Sequence, residues 1–154
     1  ERVRGSMFNI IGDEIHGASV LDAFAGTGAL GLEALSRGAQ QVTFVERDRV
    51  AQKILQENIA NLGVEGDTAL VRTSVSNWLG TADIDKFDII FVDPPYHDTQ
   101  FSTVWRLLGL LKPGALMVLS HPGKGEVPIQ ENGIVVVDNR SYGNAYLTFF
   151  RRDA

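Results

Sequence analysis

The sequence predicts a doubly wound α/β fold, a mostly parallel sheet with helices on both faces. Short apolar runs alternate with helical stretches of about a dozen residues. One of those runs, Phe87 to Val92 (FDIIFV), is almost wholly apolar, as a central parallel strand covered on both sides requires. A glycine-rich turn also stands directly between a strand and a helix. Ligands of such sheets sit at the carboxyl ends of the strands.

The chain opens at Glu1 inside a helical pattern, ERVRGSMFNIIGDEI, with Val3, Met7, Ile10, Ile11 and Ile15 at helical spacing. That start predicts a further segment ahead of it, expected to be basic. Ser19 to Phe24 reads as a strand and Ala29 to Ser36 as a helix closed by Arg37 and Gly38. Gln41 to Glu46 is a second strand, Arg47 to Leu62 a helix ending at Gly63, and Thr68 to Thr73 a third strand. A short helix around Val75 to Leu79 leads to the Phe87 to Val92 strand. A helix from about Phe101 to Leu111, stopped by Lys112-Pro113-Gly114, precedes a fifth strand from Ala115 to Ser120. Ile134 to Asp138 and Ala145 to Arg151 are strands with no helix between them, joined by 139–144, which predicts an antiparallel hairpin at the sheet's end. With no repeat and no linker, residues 1–154 read as a single domain.

Composition narrows the function. Apolar residues make up 44% of the chain, which excludes a disordered or collagen-like polymer. The absence of Cys excludes disulfides and thiolate metal sites, and no apolar run reaches the roughly 18 residues of a membrane span, so a cytoplasmic protein is expected. The net charge of -5 argues against non-specific nucleic-acid binding, whose affinity comes from Lys and Arg displacing counterions at phosphates. That objection weakens when the charge is divided: residues 1–10 carry +1, 11–100 carry -8 and 101–154 carry +2. Arg2, Arg4, Arg140, Arg151 and Arg152 at the two ends are therefore candidates to face phosphate.

Asp22-Ala23-Phe24-Ala25-Gly26-Thr27-Gly28-Ala29-Leu30-Gly31 contains G-x-G-x-x-G after a strand and before a helix. Glycines there permit a tight turn and close approach of backbone to a ligand. Glu46 ends the next strand, 20 residues beyond Gly26, where a carboxylate can accept from both hydroxyls of a ribose. The pair points to an adenosine-type ligand, against the alternative that the glycines only turn the chain and Glu46 caps a helix. Asp22 separates two such ligands. A carboxylate before the glycines would repel the pyrophosphate of NAD, whereas it suits the ammonium of S-adenosylmethionine. It could instead serve as a solvated or capping residue.

Asp93-Pro94-Pro95-Tyr96 follows the fourth strand, where the cleft is expected. Two prolines fix the backbone and remove two N–H donors, so the loop presents acceptors. An exocyclic amino group on a base is a poor nucleophile, because its lone pair is delocalised into the ring. The Asp93 carboxylate and Pro94 carbonyl can accept its two N–H bonds and aim that lone pair at a methyl donor, with Tyr96 stacked on the base.

Together these segments resemble the S-adenosylmethionine-dependent amino-group methyltransferases. Arg2-Val3-Arg4 with Met7-Phe8-Asn9, the run Gly31-Leu32-Glu33-Ala34-Leu35-Ser36-Arg37-Gly38-Ala39, and Tyr142-Gly143 further resemble the bacterial family that methylates guanine N2 in small-subunit ribosomal RNA. The resemblance spans nearly the whole chain. It implies a Rossmann-like class I methyltransferase with a seven-stranded sheet, S-adenosylmethionine as cofactor, 16S ribosomal RNA or the assembling small subunit as partner, and a monomer needing no metal or membrane. It also implies roles. Asp93, Pro94 and Tyr96 would be catalytic. Asp22, Phe24, Ala25, Gly26, Gly28, Glu46, Arg47, Ser74, Val75 and Asp93 would hold the cofactor, with Ser74 standing where relatives often place an acid near the adenine amino group. Arg2, Arg4, Asn9, Pro95 and Tyr96 would meet the substrate, Phe8 and Asn9 bordering the cofactor. Gly5-Ser6 replaces a pair that is usually a better helix former.

Three rival readings remain. D-P-P-Y also occurs in DNA adenine-N6 methyltransferases, which usually carry a target-recognition region for which 154 residues leave no room. The glycine turn alone would serve an NAD-dependent oxidoreductase, although no hydride-transfer constellation is visible. A non-catalytic RNA-binding module is the third. His16, His97 and His121 are isolated, without metal-ligand spacing, and Trp78 and Trp105 sit in apolar helical contexts expected to be core.

Overall fold

The computed structural model describes residues 2–95, 101–123 and 133–154. Seven strands form one sheet: β1 (Ser19–Asp22), β2 (Gln41–Val45), β3 (Thr68–Val71), β4 (Phe87–Val92), β5 (Leu111–His121), β6 (Ile134–Tyr142) and β7 (Ala145–Arg152). Their order across the sheet is β3-β2-β1-β4-β5-β7-β6. The first five run parallel, and β7 inserts antiparallel between β5 and β6. The strand order reverses between β1 and β4. Such a switch point opens a crevice at the strands' carboxyl ends.

Among the described residues five α-helices cover the sheet: α1 (Arg2–Ile11), α2 (Ala29–Ser36), α3 (Arg49–Leu62), α4 (Val75–Leu79) and α5 (Phe101–Leu107). Successive strand residues point to opposite faces, so the core divides into two layers. On one face Val20, Phe44, Ile89, Phe91, Val118 and Phe149 meet α1, α2 and α3 through Met7, Phe8, Ala34 and Leu55. On the other, Leu21, Val45, Ile90, Val92, Met117 and Phe150 meet α4 and α5 through Val75, Val104 and Leu107. Trp78 and Trp105 pack against this second layer, Trp105 edge-on to Phe150 at 5.9 Å, as core residues do.

Several boundaries differ from the sequence expectation: β1 ends at Asp22 rather than Phe24, β3 at Val71 rather than Thr73, and α5 at Leu107 rather than Leu111, and three further differences have a clear physical cause. Asp48 caps α3, its side chain accepting from the Ala51 N–H at 2.8 Å, so Arg47 stays in the loop rather than opening the helix. Lys112-Pro113-Gly114 lies within β5 instead of ahead of it. Leu111 pairs with Phe87 and Leu116 with Ile89, so the residues between bulge out, with Gly114 at φ +81°. The final hairpin turns in two residues, Gly143-Asn144, not over 139–144. Asn139 to Tyr142 stay in the ladder opposite Thr148 to Ala145, and Gly143 supplies the positive φ that a two-residue turn demands.

Candidate active site

The turn after β1 is drawn over the sheet by backbone bonds to both neighbouring strands: Ala23 N–H to Phe91 O and Ala25 N–H to Val45 O, each 3.0 Å. Gly26 and Gly28 take φ +59° and +91°, in the left-handed region. A Cβ on Gly28 would lie 2.2 Å from Leu55, so this position needs glycine for both conformation and space. Glu46 ties the turn to the next connection. Its Oε1 accepts from Gly26 N–H at 2.7 Å and its Oε2 from Asp48 N–H at 2.8 Å. Each oxygen keeps a lone pair, so the carboxylate can still accept ribose hydroxyls.

Asp22 is buried, and its Oδ2 accepts from the Gly31 N–H at 2.9 Å, near the start of α2. Burial pushes its carboxyl up to about 7; the Gly31 bond works against that shift, and the Asp93 and Glu46 charges add to it. Ser74 is the N-cap of α4, its hydroxyl oxygen accepting from Asn77 N–H at 3.1 Å. That hydroxyl retains its proton to donate.

These parts surround a cleft of about 780 Å³. Its walls include Asp22, Phe24, Ala25, Gly26, Glu46 and Arg47, with Ser74 and Val75 at one end and Asp93, Pro94 and Pro95 at the other. Gly28 shapes the turn without lining the cleft. Thr27, Thr73, Asn77 and Thr103 also face it, and the sequence reading missed them, since short polar residues at strand and helix ends carry no distinctive spacing. The cleft suits an elongated nucleoside: a carboxylate stands at the ribose position, an acid at one end and hydroxyls at the other.

Asp93 also borders a second cavity of about 260 Å³ under α1, with Val3, Arg4, Met7, Leu30 and Ser120 in its wall. The Ser120 hydroxyl donates to the Asp93 carboxylate. Crowding by protein atoms raises the Asp93 carboxyl above its ordinary value, and the Ser120 bond opposes that rise. Ser120 was another residue the sequence reading passed over. Its signal was modest: a polar residue ending the buried run of β5, next in register to the one that ends β4.

Several expected substrate contacts lie elsewhere. Phe8 is in the core, edge-on to Phe91 at 5.5 Å under the Arg37 guanidinium, and borders neither cavity. Asn9 is exposed and lines neither cavity. The helical spacing turns Val3 and Met7 inward, so those residues hold the place expected for Phe8 and Asn9. Tyr96, His97 and the Arg2 side chain lie outside the described residues. The other arginines expected to face phosphate are engaged with carboxylates: Arg4 with Glu33 at 3.5 Å, Arg140 with Asp138 at 3.1 Å, Arg151 with Glu14 at 2.8 Å and Arg152 with Asp85. Among the described residues no acidic or histidine cluster could hold a metal, and no helix is long and apolar enough to cross a membrane.

A family model described as Conserved hypothetical protein 95 matches residues 1–151. The chain belongs to that family. It is similar to Ribosomal RNA small subunit methyltransferase D of Haemophilus influenzae, 37% identical over 76% of this chain and 63% of that one. The protein of the same name in Escherichia coli is 42% identical over 62% of this chain and 48% of its own length. The match therefore takes in about half to two-thirds of these curated relatives. A solved structure, a conserved hypothetical protein of Streptococcus pyogenes, superposes with a TM-score of 0.87 at 31% identity over 97% of this chain and 95% of that one. The seven-stranded architecture is thus shared with a solved structure over nearly the whole of both chains.

Proposed function

We propose that this protein transfers a methyl group from S-adenosylmethionine to the exocyclic N2 of a guanine in 16S ribosomal RNA, as a single catalytic domain in the cytoplasm. The observation that carries this reading is the position of Asp93 and Pro94 at the carboxyl end of β4, with Asp93 in the wall of both cavities. Bound in the larger cleft, S-adenosylmethionine would supply an electrophilic methyl group. Glu46 would accept from its ribose, Asp22 would face its ammonium, and Ser74 and Val75 would meet its adenine end. The Asp93 carboxylate and Pro94 carbonyl hold the two N–H bonds of the target amine, with Tyr96 assigned to the base face. Position and orientation supply most of the rate, and Asp93 receives the proton after the nitrogen has gained its methyl. No metal and no covalent enzyme intermediate enter. The names of the relatives support an RNA substrate.

The test gives purified protein labelled S-adenosylmethionine with unmethylated small subunits, with their naked RNA, or with duplex DNA. Label should enter one guanine of the RNA, and digestion and sequencing identify it. Asp93→Asn should lower that labelling at least about a hundredfold. Label in DNA adenine instead, or none where a control enzyme succeeds, refutes the reading. Stabilisation by NAD but not by S-adenosylmethionine would refute it as well.

A further inference from the structure

Helix α5 follows the connection from β4, so it starts at the carboxyl ends of the strands, the end at which Asp93 stands. Its Thr103 is in the wall of the large cleft. Phe101 and Trp105, four residues apart, share the helix's other flank. Their rings stack, with centroids 5.8 Å apart and planes at 19°. Trp105 in turn meets the buried Phe150 of β7 edge-on, at 5.9 Å and 79°. An aromatic column thus rises from the core and ends in Phe101, which is 41% exposed. A singly exposed apolar side chain is ordinary. Phe101 differs in being a flat ring, backed by a second ring that the core anchors, at the start of a helix that also walls the cofactor cleft. A further ring can extend such a column without first ordering the side chain that receives it.

A base whose amine is held by Asp93 and Pro94 has left its stack in the RNA. Its departure strips one face from each neighbouring base. Stacking on a protein ring makes up that loss, and does so for any of the four bases, because each has a π-face. We propose that Phe101 is the platform on which the base adjoining the target guanine in the RNA chain stacks. The inference rests on the methyl-transfer reading above and adds to it a contact beyond the cofactor and the target amine. Phe101 holds RNA in the ground state and the transition state alike, so its contribution falls on KM and not on kcat.

The experiment measures methylation of the mapped guanine in RNA, or in subunits rebuilt from it, with the 5′ or the 3′ neighbour of that guanine either intact or abasic. With wild-type protein one of the two abasic substitutions should raise KM at least about fivefold and leave kcat in place. Phe101→Leu should raise KM for intact RNA by a similar factor, and in that variant the same abasic substitution should add nothing further. Phe101→Trp, which keeps a ring, should retain the wild-type pattern. A shift of α5 alone penalises intact and abasic RNA alike and cancels in the comparison. Binding of the demethylated cofactor certifies that each variant folds; Phe101→Met replaces leucine if it does not. Abasic penalties that are equal in wild type and Phe101→Leu, or absent from the wild type at both neighbours, overturn the role of Phe101 and leave the methyl-transfer reading standing. Failure of the wild-type protein to label guanine overturns both.

Discussion

Glu46 accepts the Gly26 amide hydrogen with one carboxylate oxygen at 2.7 Å and the Asp48 amide hydrogen with the other at 2.8 Å. One side chain thus holds the glycine turn and the entry to α3 together. The structural and the ligand-binding readings of this acid are two uses of the same atoms.

Glu46→Gln separates the effects of charge and shape. The amide oxygen can keep one of the two bonds, but its NH₂ then faces the other backbone N–H, donor against donor. Affinity for the demethylated cofactor, measured by calorimetry, should fall at least about tenfold, since bonds to a charged acceptor contribute about 1.5–3 kcal/mol. An unchanged affinity would remove Glu46 from the ribose site.

Asp22 makes stability depend on pH. Its carboxyl lies near 7 in the fold against an ordinary 3.8, so between those values the folded protein binds more protons than the unfolded chain. Stability therefore falls as pH rises through this window, by an amount on the order of 4 kcal/mol once the group is fully ionised. The melting temperature of ligand-free Asp22→Asn should depend less steeply on pH and exceed that of wild type at pH 8. Parallel profiles for the two proteins from pH 5 to 8 would contradict this.

Gly31→Ala tests the packing of α2 on the sheet. The new Cβ would lie 2.3 Å from the Phe44 ring and 2.8 Å from Val42, both buried and unable to withdraw cheaply. Overpacking of this kind costs about 1–3 kcal/mol, which lowers the melting temperature by roughly 3–10 °C in a domain of this size. Gly66→Ala, whose Cβ meets nothing within 4 Å, should change it little. Equal melting of the two variants would show that α2 shifts freely.

Periodicity and a few special residues made most of the architecture legible. The almost wholly apolar β4, the turn after β1 and the closing glycine of α3 each leave a local mark, and all stand where that mark put them. What stayed hidden depends on partners far along the chain. Asn139 reads as a turn residue until the Thr148 hydroxyl, on the neighbouring strand, donates to it at 2.8 Å. Arg151 and Arg152 read as phosphate ligands until Glu14 and Asp85 fold back onto them. In the candidate site, Glu46 and Asp93 announced themselves by spacing and motif. Ser120 did not, because a lone strand-end serine gains meaning only through the carboxylate next to it.

The ring of acids around the large cleft carries a consequence for turnover. In the proposed reaction the donor arrives with a sulfonium charge and leaves without it, while Asp22, Glu46 and Asp93 stay in place. Those carboxylates attract the incoming molecule more strongly than the spent one, and the difference grows as Asp22 ionises. The fold would thus discharge its own inhibitor, with an exchange between fresh and used donor that is sharper in mildly alkaline solution than in acid.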